Sequence, residues 1–301
     1  MRYSLSSRFR ATFLGVSLEQ IHATRVNAVA NTSGQTQREY TSEPERSWER
    51  VAMILTRRII ASGSFNNSDP PLFDSTVPSV TAKAIVATLP LALFYHDRQN
   101  KLRQSLAQFA LWLDNSEIAA GSLAVGYAIA ASLREQLRIT TILPQIITFI
   151  DEPHLQLTHQ LAQVQSLLKH QASLAKATSV LGNQPSSAIA LAFYCFLSTP
   201  HDLQLSIKRA AIGGQSSTVG AIAGALSGAY NGISGIPTHW QLALARADDL
   251  FAAWGCQNHA EILSLCDSLV TVWSGAYHHP NKVHKLLPAT AVAAPRVIRP
   301  R

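Results

Sequence analysis

A polar run at residues 213–218 carries the side chains best suited to chemistry. It consists of two glycines followed by four polar residues: Gly213, Gly214, Gln215, Ser216, Ser217 and Thr218. A helix-like apolar stretch follows, and the free N–H groups at a helix start favour an anion such as a phosphate. Two interpretations stay open. The run is only a helix cap, with Ser216 or Ser217 as the capping residue, or it forms a neutral anion-binding pocket.

Other ionisable groups give weaker signals for a site. Glu43, Glu45 and Glu49 form an acidic cluster that could bind one cation, although acids there also suit a loop and the first turn of a helix. The histidines that stand closest together or near a predicted helix lack a metal-binding pattern: His278, His279, His284, His154 and His159. The sequence has no GxSxG, GxGxxG or P-loop motif, so esterase, dinucleotide-binding and nucleoside triphosphatase functions find no support.

The helix that must position the polar run has glycine at every fourth residue: Gly220, Gly224, Gly228 and Gly232. Each glycine inside a helix costs about 1 kcal/mol relative to alanine. Apolar residues at helical spacing predict a buried helix over residues 218–230. The glycine row predicts a groove along this helix, against which a second backbone packs closely.

The remaining pattern predicts an all-α protein, because helical periodicity recurs and no strand alternation is found. We expect one compact orthogonal bundle over residues 1–288 and a disordered basic tail over residues 289–301. Loops are predicted at residues 20–45, where a short helical start is the open alternative, and at residues 62–79. Further helices are predicted at residues 48–60, 80–96 with a break near Pro90, 99–113, 116–137, 140–150, 155–181, 187–198, 202–211, 238–254 and 259–277.

The composition of the chain narrows the kinds of binding partner and the cellular compartment that we expect. The chain has 301 residues, of which 47% are hydrophobic and 14% charged, with a net charge of +7. The basic residues are dispersed, which favours a solvated surface over a nucleic-acid groove. Residues 211–245 lack charged side chains, yet their polar residues, proline and glycines favour a core helix over a membrane span. Three cysteines without CxxC spacing predict reduced, buried thiols and a cytoplasmic protein.

The polar run and the glycine row together resemble a known family signature. The stretch GGQSSTVGAIAGALSGAYNG is similar to the C-terminal motif of ADP-ribosylglycohydrolases of the dinitrogenase reductase-activating type, which reads GGDTDT followed by GAxAGAxxGAxxG. Residues 8–18, 87–95 and 188–200 resemble three further helices of that family. The resemblance implies an all-α bundle and an activity that releases ADP-ribose.

The departures from the motif bear on the chemistry. Gln215 and Ser217 stand where the family has its two aspartates, Thr218 is kept, and no adjacent acidic pair precedes Val51, where the family has TDDT. The resemblance implies two magnesium ions held by those carboxylates, and magnesium prefers anionic oxygen ligands. We therefore expect no metal cofactor and a non-catalytic protein that binds an ADP-ribose-like molecule or a protein partner. The alternative is an active hydrolase with an altered site.

Overall fold

The computed structural model describes residues 3–30, 47–65, 81–212 and 216–275, without the side chains of residues 23–30 and 216. These parts contain fourteen α-helices and no β-strand, which confirms the all-α prediction. The helices, numbered in chain order, are α1 (Leu5–Ala30), α2 (Trp48–Ser62), α3 (Leu89–Phe94), α4 (Gln99–Ala110), α5 (Ser116–Leu133), α6 (Ile142–Ile150), α7 (Gln156–Lys169), α8 (Leu174–Leu181), α9 (Pro185–Ser198), α10 (Leu203–Ile212), α11 (Ser216–Asn231), α12 (Thr238–Leu244), α13 (Asp248–Ala253) and α14 (His259–Ser274). Two 3₁₀ helices occupy Ala82–Thr88 and Ile233–Gly235.

Helix α11 lies at the centre of the bundle. Its residues from Val219 to Ala229 are almost all buried, and α1, α5, α9, α10 and the 3₁₀ helix Ala82–Thr88 pack around it. Helix α1 packs against the glycine row and is covered on other sides by α12 and α14. The helix predicted over residues 218–230 is therefore present and central.

Backbone packs directly on backbone where α1 meets α11. A Cβ atom added to Gly224 would collide with the carbonyl oxygen of Gly15, one added to Gly15 would collide with the carbonyl of Gly224, and one added to Gly228 would collide with the carbonyl of Ala11. No rotation of a side chain relieves such a collision, because the atoms that it meets are main-chain atoms. The spacing of four residues on both helices thus allows the close contact that the glycine row predicts.

Side chains cap several helix starts, and one of these caps comes from a distant part of the chain. Ser47, Asn115, Ser173 and Asn258 each accept a hydrogen bond from the backbone N–H three residues later and cap α2, α5, α8 and α14. Helix α7 has no such local cap. Instead Glu117, in the first turn of α5, accepts hydrogen bonds from the N–H groups of Gln156 and Leu157, at 2.8 and 2.9 Å.

Three predicted boundaries differ from those in the structure. The helical start allowed for residues 20–45 is present and longer than expected, because α1 continues to Ala30 through a stretch without glycine or proline. The single helix predicted over residues 155–181 is two helices, because Gln171 adopts a left-handed conformation (φ 48°) and Ser173 caps a new helix. The helix predicted over 238–254 also divides, since α13 restarts at Asp248.

Smaller differences concern helix ends and the break at proline. Pro90 lies in the first turn of α3, directly after the 3₁₀ helix Ala82–Thr88. Proline is tolerated there because an N–H group in the first turn would have no partner within the helix. Helix α5 ends at Leu133 rather than residue 137, and Glu135 follows with a φ of 58°. The predicted tail at residues 289–301 and most of the loops at 20–45 and 62–79 lie outside the described residues.

One helix in the described parts is long and apolar enough to cross a membrane by length and composition. It is α5, and 78% of that stretch is buried inside the protein. A core helix passes the same test.

Candidate functional site

The polar run predicted as a binding site lies at the start of the central helix. Helix α11 begins at Ser216, with Ser217 exposed and Thr218 half-buried in its first turn. Gly213, Gly214 and Gln215 lie outside the described residues, as does the side chain of Ser216. Ser217 thus lies after the helix start, and its N–H belongs to the first turn. The N–H groups in the first turn of any α-helix have no hydrogen-bond partner within the helix.

Glu19, a residue of α1 that the sequence did not indicate as a candidate, lies beside α11 about one turn after the start of that helix. The side chain of Glu19 on α1 covers Gly220, where its Cβ, Cγ and carboxyl carbon would crowd any added Cβ atom. Glu19 is only 3% exposed. Because α1 and α11 run antiparallel through Gly15 and Gly224, residues after Glu19 extend towards the start of α11. Glu19 follows Gly15 by four residues, and Gly220 precedes Gly224 by four residues. This matched spacing was the signal that could have identified Glu19.

A basic group lies one turn beyond Glu19 on α1. The ring of His22 is half-buried, with its centroid 6.0 Å from that of Trp240. Burial lowers the pKa of His22, and the positive charge of Lys208 on α10 lowers it further. The imidazole therefore favours its neutral form, and Lys208 supplies the cation on this side of α1.

Of the predicted acidic cluster, only Glu49 lies in the described residues. It is in the first turn of α2, where acids suit the helix dipole, and is 2% exposed. Its Oε1 atom lies 2.6 Å from Nζ of Lys83 in the 3₁₀ helix Ala82–Thr88, which also packs against α11. The lysine thus compensates the charge of this carboxylate. Glu43 and Glu45 lie outside the described residues.

The remaining candidate residues do not assemble into a metal centre in the part of the chain that the structure describes. No group of three or more His, Cys, Asp or Glu side chains there could hold a metal ion. His154 and His159 are exposed, and His154 lies 3.8 Å from Glu152. The other predicted histidines lie outside the described residues: His278, His279 and His284.

The three cysteines are buried and unpaired, as predicted. Burial raises the pKa of the Cys195 thiol to about 12 and also raises the pKa values of Cys256 and Cys266. Thiols of this kind carry little thiolate near neutral pH and are poor nucleophiles. None of the three is therefore a candidate catalytic residue.

A cleft of about 550 Å³ opens at the other end of α11, beside Tyr230 and Asn231. Its position does not coincide with the polar run. The polar run lies at the start of α11, at the opposite end of that helix. The cleft is a separate feature.

Comparisons with known proteins agree with the motif resemblance. The family model described as ADP-ribosylglycohydrolase matches residues 8–278. A solved structure titled ADP-ribosylglycohydrolase-related protein complex superposes with a TM-score of 0.56 at 15% sequence identity, covering 89% of this chain and 99% of the other. At that identity the superposition bears on the fold alone. Comparison with curated protein sequences finds no match. The match to the family model spans most of the chain, and we conclude that the chain belongs to the ADP-ribosylglycohydrolase family.

Proposed function

We propose that this family member binds an ADP-ribose-like anionic ligand at the start of α11 without hydrolysing it through a binuclear magnesium site. The observation that carries the proposal is the replacement of both motif aspartates by Gln215 and Ser217. Amide and hydroxyl oxygens are neutral, and two neighbouring magnesium ions need several carboxylates to offset their charge. If the ligand is a protein rather than a small molecule, we propose that it binds at the same surface.

Two described side chains that could contribute to a magnesium site are poorly suited to that role. Glu49 already has the ammonium group of Lys83 at 2.6 Å, so an ion would have to displace a lysine that then remains nearby as a positive charge. Ser217 offers only a hydroxyl group. A step that needs a metal-activated water or a metal-polarised substrate is therefore not assigned to this chain.

Binding of an anion has better support. The N–H groups of the first turn of a helix have no partner within the helix, and together with the ammonium of Lys208 they favour negative charge. Loss of the aspartate at position 217 also removes repulsion towards a phosphate. Glu19 opposes this attraction, but it covers Gly220, about one helical turn or 5.4 Å from the start of the helix.

Thermal-shift and calorimetric measurements test this proposal. We expect ADP-ribose to raise the melting temperature equally with and without magnesium, and Ser217→Glu to abolish the rise by placing a carboxylate beside the phosphate. Ser166→Glu is the matched control, because Ser166 is an exposed serine on α7. Two equivalents of magnesium or manganese bound at micromolar concentration would contradict the proposal.

The alternative proposal is an active hydrolase with an altered site, and one observation favours it. Glu19 is a buried carboxyl group next to the proposed binding surface and could act as a general acid or base. In that case the unmodified protein would release ADP-ribose from a modified side chain, and Glu19→Gln would reduce the rate by about 100-fold or more. Under our preferred proposal neither protein releases ADP-ribose at a measurable rate.

The location of the protein is part of the same proposal. Three buried, unpaired thiols suit a reducing compartment, which supports a cytoplasmic location.

A further inference from the structure

The cleft beside Tyr230 and Asn231 is a second candidate binding site. It is bounded by the start of α1, the residues after α5, the end of α11 and His201. Its volume of about 550 Å³ lies within the range of small-molecule sites. Along α11 it lies roughly 20 Å from the first turn, at 1.5 Å per residue, so one small ligand cannot occupy both sites.

The two charged side chains of the cleft wall are committed to each other. The Nη2 atom of Arg8 donates to Oε1 of Glu135 at 3.0 Å, and its Nη1 atom donates to the carbonyl oxygen of Ser132 at 2.6 Å. Arg8 is 5% exposed and cannot turn towards a ligand without breaking both bonds. The pair is therefore a wall without net charge, which favours an uncharged ligand over an ion.

The amide group of Asn231 is fixed with its oxygen as the end that has no partner. Its Nδ2 atom donates to the carbonyl oxygens of Pro200 at 2.8 Å and Ser227 at 3.0 Å. Carbonyl oxygens can only accept, so the nitrogen and not the oxygen must face them. No described residue donates to the amide oxygen of Asn231. Because Asn231 lines the cleft, this oxygen is an acceptor for a ligand there.

Aromatic rings form much of the remaining wall. The exposed ring of His201 has its centroid 5.4 Å from that of Tyr230, and Phe196 supports Tyr230 from the core in an edge-on contact. The guanidinium carbon of Arg8 lies 5.9 Å from the centroid of the Tyr3 ring. No described residue bonds to the phenol hydroxyl of Tyr3 or Tyr230. The wall thus combines flat apolar faces with hydroxyl groups that can both donate and accept.

The composition of the lining distinguishes between two classes of uncharged ligand. Of its eight residues, only Leu137 has an aliphatic side chain. Sites for flat heterocycles are lined mostly by apolar side chains, whereas this cleft has hydroxyl, amide and imidazole groups beside its rings. A sugar ring matches that mixture, because its C–H faces pack on aromatic rings while its hydroxyls donate and accept around the edge.

We propose that this cleft binds a neutral pyranose sugar. One hydroxyl of the sugar donates to the amide oxygen of Asn231, and a C–H face packs on the exposed ring of His201. The sugar makes no demand on Arg8 or Glu135, so the charged wall stays paired when it binds. A rigid ring is favoured over an open-chain polyol, because it presents a flat face and loses less conformational freedom on binding.

Calorimetry with neutral sugars tests the class of ligand. The probes are the methyl pyranosides of glucose, galactose and mannose, and the control is glucitol, the open-chain polyol related to glucose. We expect at least one pyranoside to bind about tenfold more tightly than glucitol. Equally tight binding of glucitol, or no binding of any pyranoside at millimolar concentration, would overturn the proposal.

The role of Asn231 is tested from the side of the ligand, because its amide nitrogen also holds Pro200 and Ser227. The fully O-methylated form of the tightest pyranoside keeps the ring and the acceptor oxygens but has no O–H donor. We expect it to bind about tenfold more weakly, since the amide oxygen then has no partner. Equal binding of the methylated sugar would contradict the assigned hydrogen bond.

Variants locate the binding within the protein, with the tightest pyranoside as the probe. His201→Ala removes an exposed ring and should weaken binding about three- to tenfold, whereas His201→Phe keeps a ring and should restore it. His154→Ala, at an exposed histidine after α6, is the control and should leave binding unchanged. Unchanged binding in His201→Ala would refute the site.

Sugar binding should persist in Ser217→Glu, which targets the other end of α11. Loss of sugar binding in that variant would mean that the sugar binds at the start of α11 and would refute the cleft. The two proposals can therefore fail separately.

Discussion

Helix α1 is held on two faces by two different kinds of contact. Towards α11 the backbones touch through Gly15 and Gly224, with no side chain between them. Towards α14 the contact is made by side chains: Arg10 and Ser6 both bond to the carboxylate of Asp267. Main-chain atoms cannot rearrange without moving a whole helix, whereas side chains can change rotamer or admit water. The first contact should therefore be intolerant of change and the second adaptable.

The largest effect is expected from adding one methyl group to the α1–α11 contact. Gly224→Ala gains about 1 kcal/mol in helix propensity, but its Cβ collides with the Gly15 carbonyl. We expect a net destabilisation of about 2–3 kcal/mol, and more for Gly224→Leu. Urea unfolding measures this change. An unchanged unfolding midpoint would mean that α1 can shift away from α11 freely, and the contrast between the two faces would not hold.

A smaller effect is expected on the other face. Asp267→Asn removes the charge that pairs with Arg10, whose side chain is 33% exposed, while the amide oxygen can still accept hydrogen bonds. We expect a loss of about 1 kcal/mol or less, and a smaller loss at high salt. Glu152→Gln, at an exposed acid elsewhere, controls for the change in net charge. A loss as large as that of Gly224→Ala would remove the distinction between the two contacts.

The side-chain contacts of α14 should also respond to pH. The N–H of Gln257 and then the guanidinium of Arg57 hold the pKa of Glu261 below its ordinary value, against the opposing effect of burial. A lowered native pKa gives stability that is complete above the unfolded pKa of about 4.3 and is lost as pH falls through the native value. The unfolding free energy of the native protein should therefore exceed that of Glu261→Gln by less than about 1 kcal/mol at pH 6. The difference should shrink towards pH 3, and a difference that grows as the pH falls would contradict this assignment.

The smallest effect is expected at a helix glycine that faces a side chain. A Cβ atom added to Gly126 in α5 would meet the Cδ1 atom of Leu106 at 2.5 Å, and the end of a leucine can move. Gly126→Ala should change the unfolding free energy by no more than about 1 kcal/mol in either direction, since the gain in helix propensity offsets the repacking. Measured beside Gly224→Ala, it separates helix propensity from backbone collision. Equal losses in the two variants would contradict the comparison.

The sequence predicted the fold best at the glycine row of α11, because close backbone contact is required there at every fourth residue. The glycines of α11 could be interpreted as a groove because each one is costly in a helix unless something lies close against it. The breaks at residues 170–173 and 245–247 were missed because the apolar spacing continues across them. Ser173 and Asp248, both residue types found at helix starts, were the available signals.

The candidate site was predicted only in part for a related reason. Its motif residues are contiguous and visible in the sequence, but Glu19 reaches the first turns of α11 from α1. The partners of a buried charge are set by tertiary packing, which local spacing does not reveal. The Arg8–Glu135 pair at the opposite cleft is likewise formed by residues far apart in the chain.

The contact between α1 and α11 also has a consequence for biosynthesis. Helix α1 is made before α11, which follows roughly 200 residues later. At about 5–20 residues per second this is a delay of roughly 10–40 s. During this interval the apolar residues of α1, including Phe9, Phe13 and Leu18, have no finished core to enter. During synthesis the apolar face of this helix therefore stays without its final neighbours until α11 emerges.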